Sequence, residues 1–195
     1  MLATPAFASS DIIRDLDGEL ADKLSGIPYP HVSVVCFGYK RDKVAHPLNG
    51  FGFLVPHREK RNILGTLWDS SVFPNRSSGE NVLLRTMIGG AKNPVIETFD
   101  DNKVADVVFR ELKGIMGLNT EPDFTRVYRW DRAIPQYALG HIRLLDFIDE
   151  KLGNYPGLYL TGNAYRGIGI NDCVENSHKL AKDILRTNRD TSLNS

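Results

Sequence analysis

A glycine-rich segment near the C-terminus has the residue types of a ligand-binding loop. Gly162, Gly167 and Gly169 lie between a short apolar stretch, residues 158–160, and an amphipathic pattern that opens at Asn171. Glycines at such a junction let backbone N–H groups approach a ligand, and the positive end of the following helix attracts negative charge. The pattern predicts a cofactor or anion site. A purely structural role, as a tight strand-to-helix turn, stays open.

The spacing of these glycines matches neither common nucleotide-binding motif. The sequence contains no G-x-G-x-x-G and no G-x-x-x-x-G-K-S/T, so most of the phosphate site of any nucleotide cofactor is not in these residues. The five histidines show no metal-binding spacing, and the two cysteines, Cys36 and Cys173, are far apart. We therefore predict no metal site and no disulfide framework. No acid or base is placed by its pattern to assist catalysis, so we assign no catalytic residue.

Composition favours a small-molecule partner. The 195 residues are 42% hydrophobic and 25% charged, with 24 basic and 24 acidic side chains, which is typical of one globular domain or two small ones. This balance gives no overall field that would attract nucleic acid. No apolar run approaches the roughly 20 residues of a membrane span, and we expect a cytoplasmic protein.

Hydrophobic periodicity predicts helices and strands in a mixed order. Apolar residues recur at spacings of three and four from Ile13 to Leu24, which predicts one helix of about four turns. Asp100 or Asp101 is a suitable cap for a second helix that Gly117 ends. The remaining predicted helices cover residues 141–153 and 171–186, and the predicted strands cover residues 31–40, 50–55, 63–68, 81–90, 122–130 and 158–160.

Short connections between successive strands indicate hairpins, and hairpins build antiparallel sheets. The predicted fold class is therefore α+β, a mostly antiparallel sheet with packed helices. The final strand, glycine loop and helix are expected to belong to a different structural unit from the sheet.

Four sequence motifs together resemble one enzyme family. They read LYLTGNAYRGIGINDCVENS at residues 158–177, WDRAIPQYALGH at 130–141, NGFGFLVPHREKRNILGTLWDSSVFPNR at 49–76 and LLRTMIGGA at 83–91. In their order along the chain they are similar to motifs of the flavin-containing amine oxidase family, and G-F-G-x-L-V-P with I-P-Q-Y is typical of its porphyrinogen-oxidising branch.

The resemblance implies FAD as the cofactor and assigns a part of its site. Gly162 and Asn163 would lie near the ribityl and phosphate chain, and Trp130 would lie against the flavin ring. A core tryptophan in a strand is the alternative for Trp130. The residues expected beneath the isoalloxazine ring are Ile168, Gly169, Ile170 and Asn171.

The resemblance also implies a tetrapyrrole substrate. Hydride would pass from a porphyrinogen to FAD until the macrocycle is aromatic, with oxygen as the final acceptor. Apolar side chains and a glycine suit a flat ring, and methionine adapts to its outline. An ordinary hairpin core is the alternative explanation for these side chains. The residues expected around the substrate are Phe51, Gly52, Leu54 and Met87.

Members of this family are longer and begin with a G-x-G-x-x-G segment, so the chain resembles their C-terminal portion. Residues 1–26 and 154–195 would be the last part of a Rossmann-like FAD-binding domain, and residues 27–153 a substrate-binding domain. The resemblance leaves open peripheral membrane association of the intact enzyme and self-association through an exposed domain face.

The sequence leaves two alternative functions open. One is another flavin amine oxidase or a desaturase, which G-F-G-x-L-V-P and I-P-Q-Y argue against. The other is a noncatalytic module that binds a porphyrin or a protein partner, which the lack of a phosphate-binding motif favours.

Overall fold

The computed structural model describes the backbone of residues 1–193 and the side-chain surroundings of residues 1–186. The chain divides into two compact units. The terminal unit consists of Met1–Tyr29 and Ile134–Ser195, and the sheet unit of Pro30–Ala133. The second boundary between the two units falls between Ala133 and Ile134. Residues 141–152, which the sequence analysis placed in the same domain as the sheet, therefore lie in the terminal unit. The assignment of the two units to a flavin domain and a substrate domain stays a prediction.

The elements follow one another in the mixed order that the periodicity predicts. The helices are α1 (Ala6–Ile13), α2 (Gly18–Ser25), α3 (Asp69–Val72), α4 (Asp101–Met116), α5 (His141–Leu152) and α6 (Ile170–Leu193). The strands are β1 (Val32–Lys40), β2 (Gly52–Leu54), β3 (Ile63–Trp68), β4 (Asn81–Gly89) and β5 (Phe124–Trp130).

The five strands form one sheet with the order β2-β3-β4-β1-β5. Every strand pair is antiparallel. The α+β class with an antiparallel sheet is thereby confirmed. The pairing of β1 with β4 and β5 joins segments far apart in sequence, so the hairpin pattern could not give the strand order.

One face of the sheet forms the core of the sheet unit against α4. Val35 and Phe37 of β1 are buried there with Val104 and Val108 of α4. The Asp100 side chain accepts a 2.8 Å hydrogen bond from the N–H of Lys103 and so caps the helix. Side chains alternate across a strand, so the intervening residues lie on the other side of the sheet, which we call the second face.

The terminal unit begins with two helices where the periodicity predicted one. Asp17 accepts a 2.9 Å hydrogen bond from the N–H of Leu20, which caps α2 and breaks the helix after α1. Leu20 and Leu24 are fully buried, whereas Leu16 at the break is 53% exposed. Both helices bury their apolar side chains in one core, and this explains why the periodic pattern continues across the break.

The predicted strand at residues 158–160 is reduced to an isolated parallel bridge between Leu2 and Leu160. The N–H of Leu2 donates to the carbonyl of Tyr159, and the N–H of Thr161 donates to the carbonyl of Leu2. The bridge brings the start of the chain beside the glycine loop. Among the helices described, α6 included, none combines the length and the hydropathy that crossing a bilayer would require.

Candidate functional site: the glycine loop and the second face of the sheet

The glycine loop, residues 162–169, connects the Leu2–Leu160 bridge to the start of α6 in the terminal unit. Its residues Gly162, Asn163 and Ile168 line an open groove of about 580 Å³ together with Ile170 at the start of α6. Four of the seven residues predicted to contact the cofactor therefore share one groove. The other residues that line it are Ala3, Thr4, Pro5, Cys173, Val174 and Ser177.

The groove has the size and chemistry of a small-molecule site. Its volume is within the range of roughly 300–1,000 Å³ usual for ligand pockets. Ile168 is 40% exposed and Ile170 is 83% exposed, so apolar surface is available for the face of a planar ring. The first N–H groups of α6 have no acceptor within the helix. These features fit the ring end of a flavin.

Two of the three loop glycines are required by the protein itself. Gly167 has φ +143°, and a Cβ there would lie 2.3 Å from the Cβ of Asp172. A Cβ on Gly169 would lie 2.9 Å from Oδ2 of the same carboxylate. These glycines therefore make room for Asp172, which fits the structural role, a tight turn before the helix, that the sequence pattern left open.

The carboxylate of Asp172 also interacts with the positively charged N-terminal end of α6. Its Oδ2 accepts a 3.1 Å hydrogen bond from the N–H of Gly169. A carboxylate in the first turn stabilises a helix by interacting with its dipole, so a ligand bound at this end of α6 would share it with Asp172. Asn171, predicted to lie beneath the flavin ring, is exposed in the same turn.

Tyr137 holds the glycine loop from the outside. Its hydroxyl donates a 2.8 Å hydrogen bond to the carbonyl of Asn163 and accepts a 2.8 Å bond from the N–H of Gly167. Burial raises the pKa of Tyr137 above its usual 10.0, although the Gly167 bond opposes this rise. The hydroxyl therefore stays protonated and able to donate at neutral pH.

His141 supports Tyr137 and also contacts the glycine loop. Its ring stacks on Tyr137, with centroids 4.0 Å apart and an interplanar angle of 11°. Its Nε2 lies 2.9 Å from the carbonyl oxygen of Tyr165, and a carbonyl can only accept, so Nε2 carries the proton. The side chain of the same residue, Tyr165, is buried, and burial raises the pKa of its hydroxyl to about 12. The sequence showed Tyr137 and His141 only as letters of a motif and gave no sign that they contact the loop.

Trp130, the remaining predicted cofactor residue, lies in the other unit at the end of β5. It is 48% exposed, so it is not the core tryptophan of the alternative interpretation. Its ring is tilted against that of Tyr128, with centroids 6.1 Å apart. Its contact with a flavin stays a prediction.

Strand register brings part of the predicted substrate set together. Leu54 pairs with Gly65, Gly65 with Met87, Met87 with Val34, and Val34 with Tyr128. These residues form one row across the second face. Leu54 is 80% exposed and Tyr128 is 45% exposed, so Leu54 is not a core residue of the hairpin.

The other two predicted substrate residues fit less directly. Gly52 lies on β2, two residues before Leu54, and has φ +135°. A Cβ there would lie 2.0 Å from the carbonyl oxygen of Thr66, so close strand pairing already requires a glycine. Phe51 lies just outside β2 and is 74% exposed, which excludes a core position, but the register does not place it on the second face.

The fold and these features define a family. A family model described as flavin containing amine oxidoreductase matches residues 3–185. The chain therefore belongs to the flavin containing amine oxidoreductase family, and the flavin predicted from the four motifs is the cofactor class of that family. In the described part of the chain no group of three or more histidine, cysteine or acidic side chains could hold a metal ion.

Relatives within this family act on porphyrinogens by name. The chain is 34% identical over 195 residues to the chloroplastic protoporphyrinogen oxidase of Oryza sativa subsp. japonica, covering 94% of this chain and 36% of the relative. It is 32% identical over 186 residues to the coproporphyrinogen III oxidase of Bacillus subtilis, covering 95% and 39%. The chain thus spans little more than a third of the length of these relatives.

Solved structures agree with this relationship. A protein of Exiguobacterium sp. 255-15, provisionally named a protoporphyrinogen oxidase, superimposes with a TM-score of 0.77 at 26% identity, over 94% of this chain and 40% of the other. Reduced UDP-galactopyranose mutase superimposes with a TM-score of 0.55 at 13% identity, over 78% of this chain and 33% of the other. This second likeness shows the fold alone.

Proposed function

We propose that the chain forms the ring-side wall of a flavin site and the substrate-binding sheet of an FAD-dependent protoporphyrinogen oxidase. The reaction is the oxidation of protoporphyrinogen IX to protoporphyrin IX with oxygen as acceptor, a step of porphyrin biosynthesis. The observation that supports it most is the single groove shared by Gly162, Asn163, Ile168 and Ile170 at the start of α6. The porphyrinogen names of the relatives support the substrate class.

The contribution of the chain is binding and orientation. When bound, FAD supplies the redox chemistry, which the protein need only position and tune. Ile168 and Ile170 offer apolar surface to the ring, while Tyr137 and His141 hold the loop that carries these contacts. On the second face, Leu54, Met87 and Tyr128 would contact a flat macrocycle.

The same proposal includes the roles predicted for Trp130, for two residues around the start of α6 and for two residues at β2. Trp130 would lie against the flavin ring, with Gly169 and Asn171 beneath it. Phe51 and Gly52 would border the tetrapyrrole. The sheet unit would then act as the substrate domain and the terminal unit as part of the FAD domain. A cytoplasmic location, peripheral membrane association of the intact enzyme and self-association stay predictions, and some relatives are chloroplastic by name.

The activity can be tested directly with the full chain. Because the sequence has no dinucleotide phosphate motif, we expect weak FAD affinity, so FAD is supplied in excess. Protoporphyrinogen IX is then added in air, and the fluorescence of the porphyrin product is followed. The proposal requires a rate above the spontaneous one that depends on FAD and on oxygen.

A noncatalytic tetrapyrrole-binding module is the second candidate. The observation that favours it is the apolar second face in a sequence that lacks a phosphate-binding motif. Binding of protoporphyrin that quenches tryptophan fluorescence, together with an FAD-independent background rate, would support the module and contradict the oxidase.

A further inference from the structure

Two arginines lie on the second face of the sheet, on either side of Cys36. Cys36 of β1 pairs with Arg85 of β4 on one side and with Arg126 of β5 on the other. Paired residues of adjacent strands point to the same face. This row is next to the row of Met87 and Tyr128, at a distance of roughly 6.6 Å along the strands.

Arg85 is already neutralised by the protein. Its Nε and Nη2 donate 2.9 Å hydrogen bonds to the two carboxylate oxygens of Asp69. Asp69 is only 4% exposed. A bidentate pair of this kind is strong and geometrically specific, and breaking it would leave a buried charge. Arg85 is therefore a structural residue and cannot serve a ligand.

Arg126 has no such partner. Among the residues whose side chains are described, no carboxylate lies within 4 Å of its guanidinium. Its nearest aromatic contact is the ring of Tyr128, 5.6 Å away from the guanidinium carbon. The next residue of β5 on the same face, Phe124, is 53% exposed.

The contrast with Arg129 on the same strand is informative. Its Nε donates a 2.6 Å hydrogen bond to Asp101, so it is paired, on the opposite side of the strand from Arg126. Of the three described arginines on β4 and β5, Arg126 alone has no carboxylate partner, and it lies on the second face beside apolar side chains.

We propose that Arg126 binds a carboxylate side chain of the tetrapyrrole whose macrocycle lies on the row of Leu54, Met87 and Tyr128. This inference rests on the proposed function and names the residue that would orient the substrate. Porphyrinogens and porphyrins carry propionate groups at the edge of an apolar ring. The planar guanidinium matches a carboxylate with two parallel hydrogen bonds. The macrocycle would exclude water from this contact and so strengthen it.

The test compares a porphyrin with and without its carboxylates. The full chain is titrated with protoporphyrin and with protoporphyrin dimethyl ester in the same neutral detergent, and quenching of tryptophan fluorescence gives the two affinities. Arg126→Met removes the charge and keeps the apolar stem. Arg110→Met is the matched control, because Arg110 is an exposed arginine of α4, the helix packed against the opposite face.

We expect Arg126→Met to weaken binding of protoporphyrin about tenfold, the loss of one charged hydrogen-bonding contact, and to leave the ester unchanged. Arg110→Met should change neither affinity, and Arg126→Lys should lose less than Arg126→Met. If both ligands bind the wild-type chain and Arg126→Met affects them equally or not at all, the role of Arg126 is wrong while the second face remains the binding surface. If neither ligand binds the wild-type chain, the proposed substrate surface and the role of Arg126 both fail.

Discussion

The hydroxyl oxygen of Tyr137 lies 2.8 Å from the amide nitrogen of Gly167. The same hydroxyl donates to the carbonyl of Asn163, so one side chain joins both ends of residues 163–167, directly before Ile168. The loop is therefore positioned by a residue from a separate segment of the terminal unit. The groove depends on this contact because Asn163 and Ile168 both line it.

Removing the hydroxyl of Tyr137 should loosen the glycine loop. Tyr137→Phe eliminates both hydrogen bonds and retains the stacking on His141, so we expect a loss of about 1–3 kcal/mol in the free energy of unfolding. Amide hydrogen exchange at Gly167 should become faster. Tyr159→Phe is the control, since the Tyr159 hydroxyl has no hydrogen-bond partner among the side chains described. Equal exchange rates in the two variants would contradict the role of the Tyr137 hydroxyl in holding the loop.

The crowding at Gly167 can be separated from its backbone strain. Gly157 also has a positive φ, +91°, but nothing lies within 4 Å of a Cβ placed there. Gly157→Ala should cost roughly 1 kcal/mol from backbone strain alone. Gly167→Ala adds the overlap with Asp172, and we expect about 3 kcal/mol. Urea denaturation measures both losses, and similar values for the two variants would show that Asp172 does not confine the loop.

The two arginines of the second face should differ in their effect on stability. Arg85→Met leaves the carboxylate of Asp69 buried and unpaired, which should cost about 3 kcal/mol. Adding Asp69→Asn to this variant should restore part of the loss because the buried charge is gone. Arg126→Met should change the free energy of unfolding by no more than about 0.5 kcal/mol. A large loss on Arg126→Met would mean that the residue is structural.

Glu111 should make the sheet unit sensitive to acid. Burial raises the pKa of this carboxyl, but hydrogen bonds from the N–H and side chain of Asn62 and from Arg61 outweigh it, so the pKa is lowered from its usual 4.5. A lowered pKa adds stability that is present above pH 4.5 and is lost as the pH falls towards the pKa of the folded state.

Thermal unfolding between neutral pH and acid measures this contribution. The wild-type chain should lose stability more steeply below about pH 4.5 than Glu111→Gln, in which the group cannot ionise. Glu80→Gln, at an exposed position, should follow the wild-type curve. Parallel curves for wild type and Glu111→Gln would remove Glu111 as the origin of the acid sensitivity.

Local patterns in the sequence were sufficient for most of the elements. Asp100 and Gly117 delimit α4 as their types predict, and the hairpin of β2 and β3 forms where two apolar segments flank a charged connector. Periodicity failed at Asp17, because α1 and α2 bury their apolar residues in one core and the pattern does not register the break. The Asp17 cap affects only the residues next to it, whereas burial of both helices in one core keeps the apolar spacing regular across the break.

The site was less predictable than the fold. The motif resemblance selected Ile168 and Ile170, which lie in one groove. It did not assign a role to Tyr137 or His141, since their contacts with Asn163, Gly167 and Tyr165 join residues more than twenty positions apart. Arg126 was also missed, because only the strand register and the pairing of Arg85 with Asp69 distinguish it from other surface arginines.

Titrating the full chain with FAD is the sharpest test of whether the glycine loop is one wall of a flavin site. The flavin fluorescence and visible absorbance report on binding, and Gly167→Ala serves as the variant with a distorted groove. We expect saturable quenching and a shifted flavin spectrum with the wild-type chain, and at least tenfold weaker binding with Gly167→Ala. A colourless protein that leaves the flavin spectrum unchanged, or that binds FAD equally well in both forms, would contradict the claim.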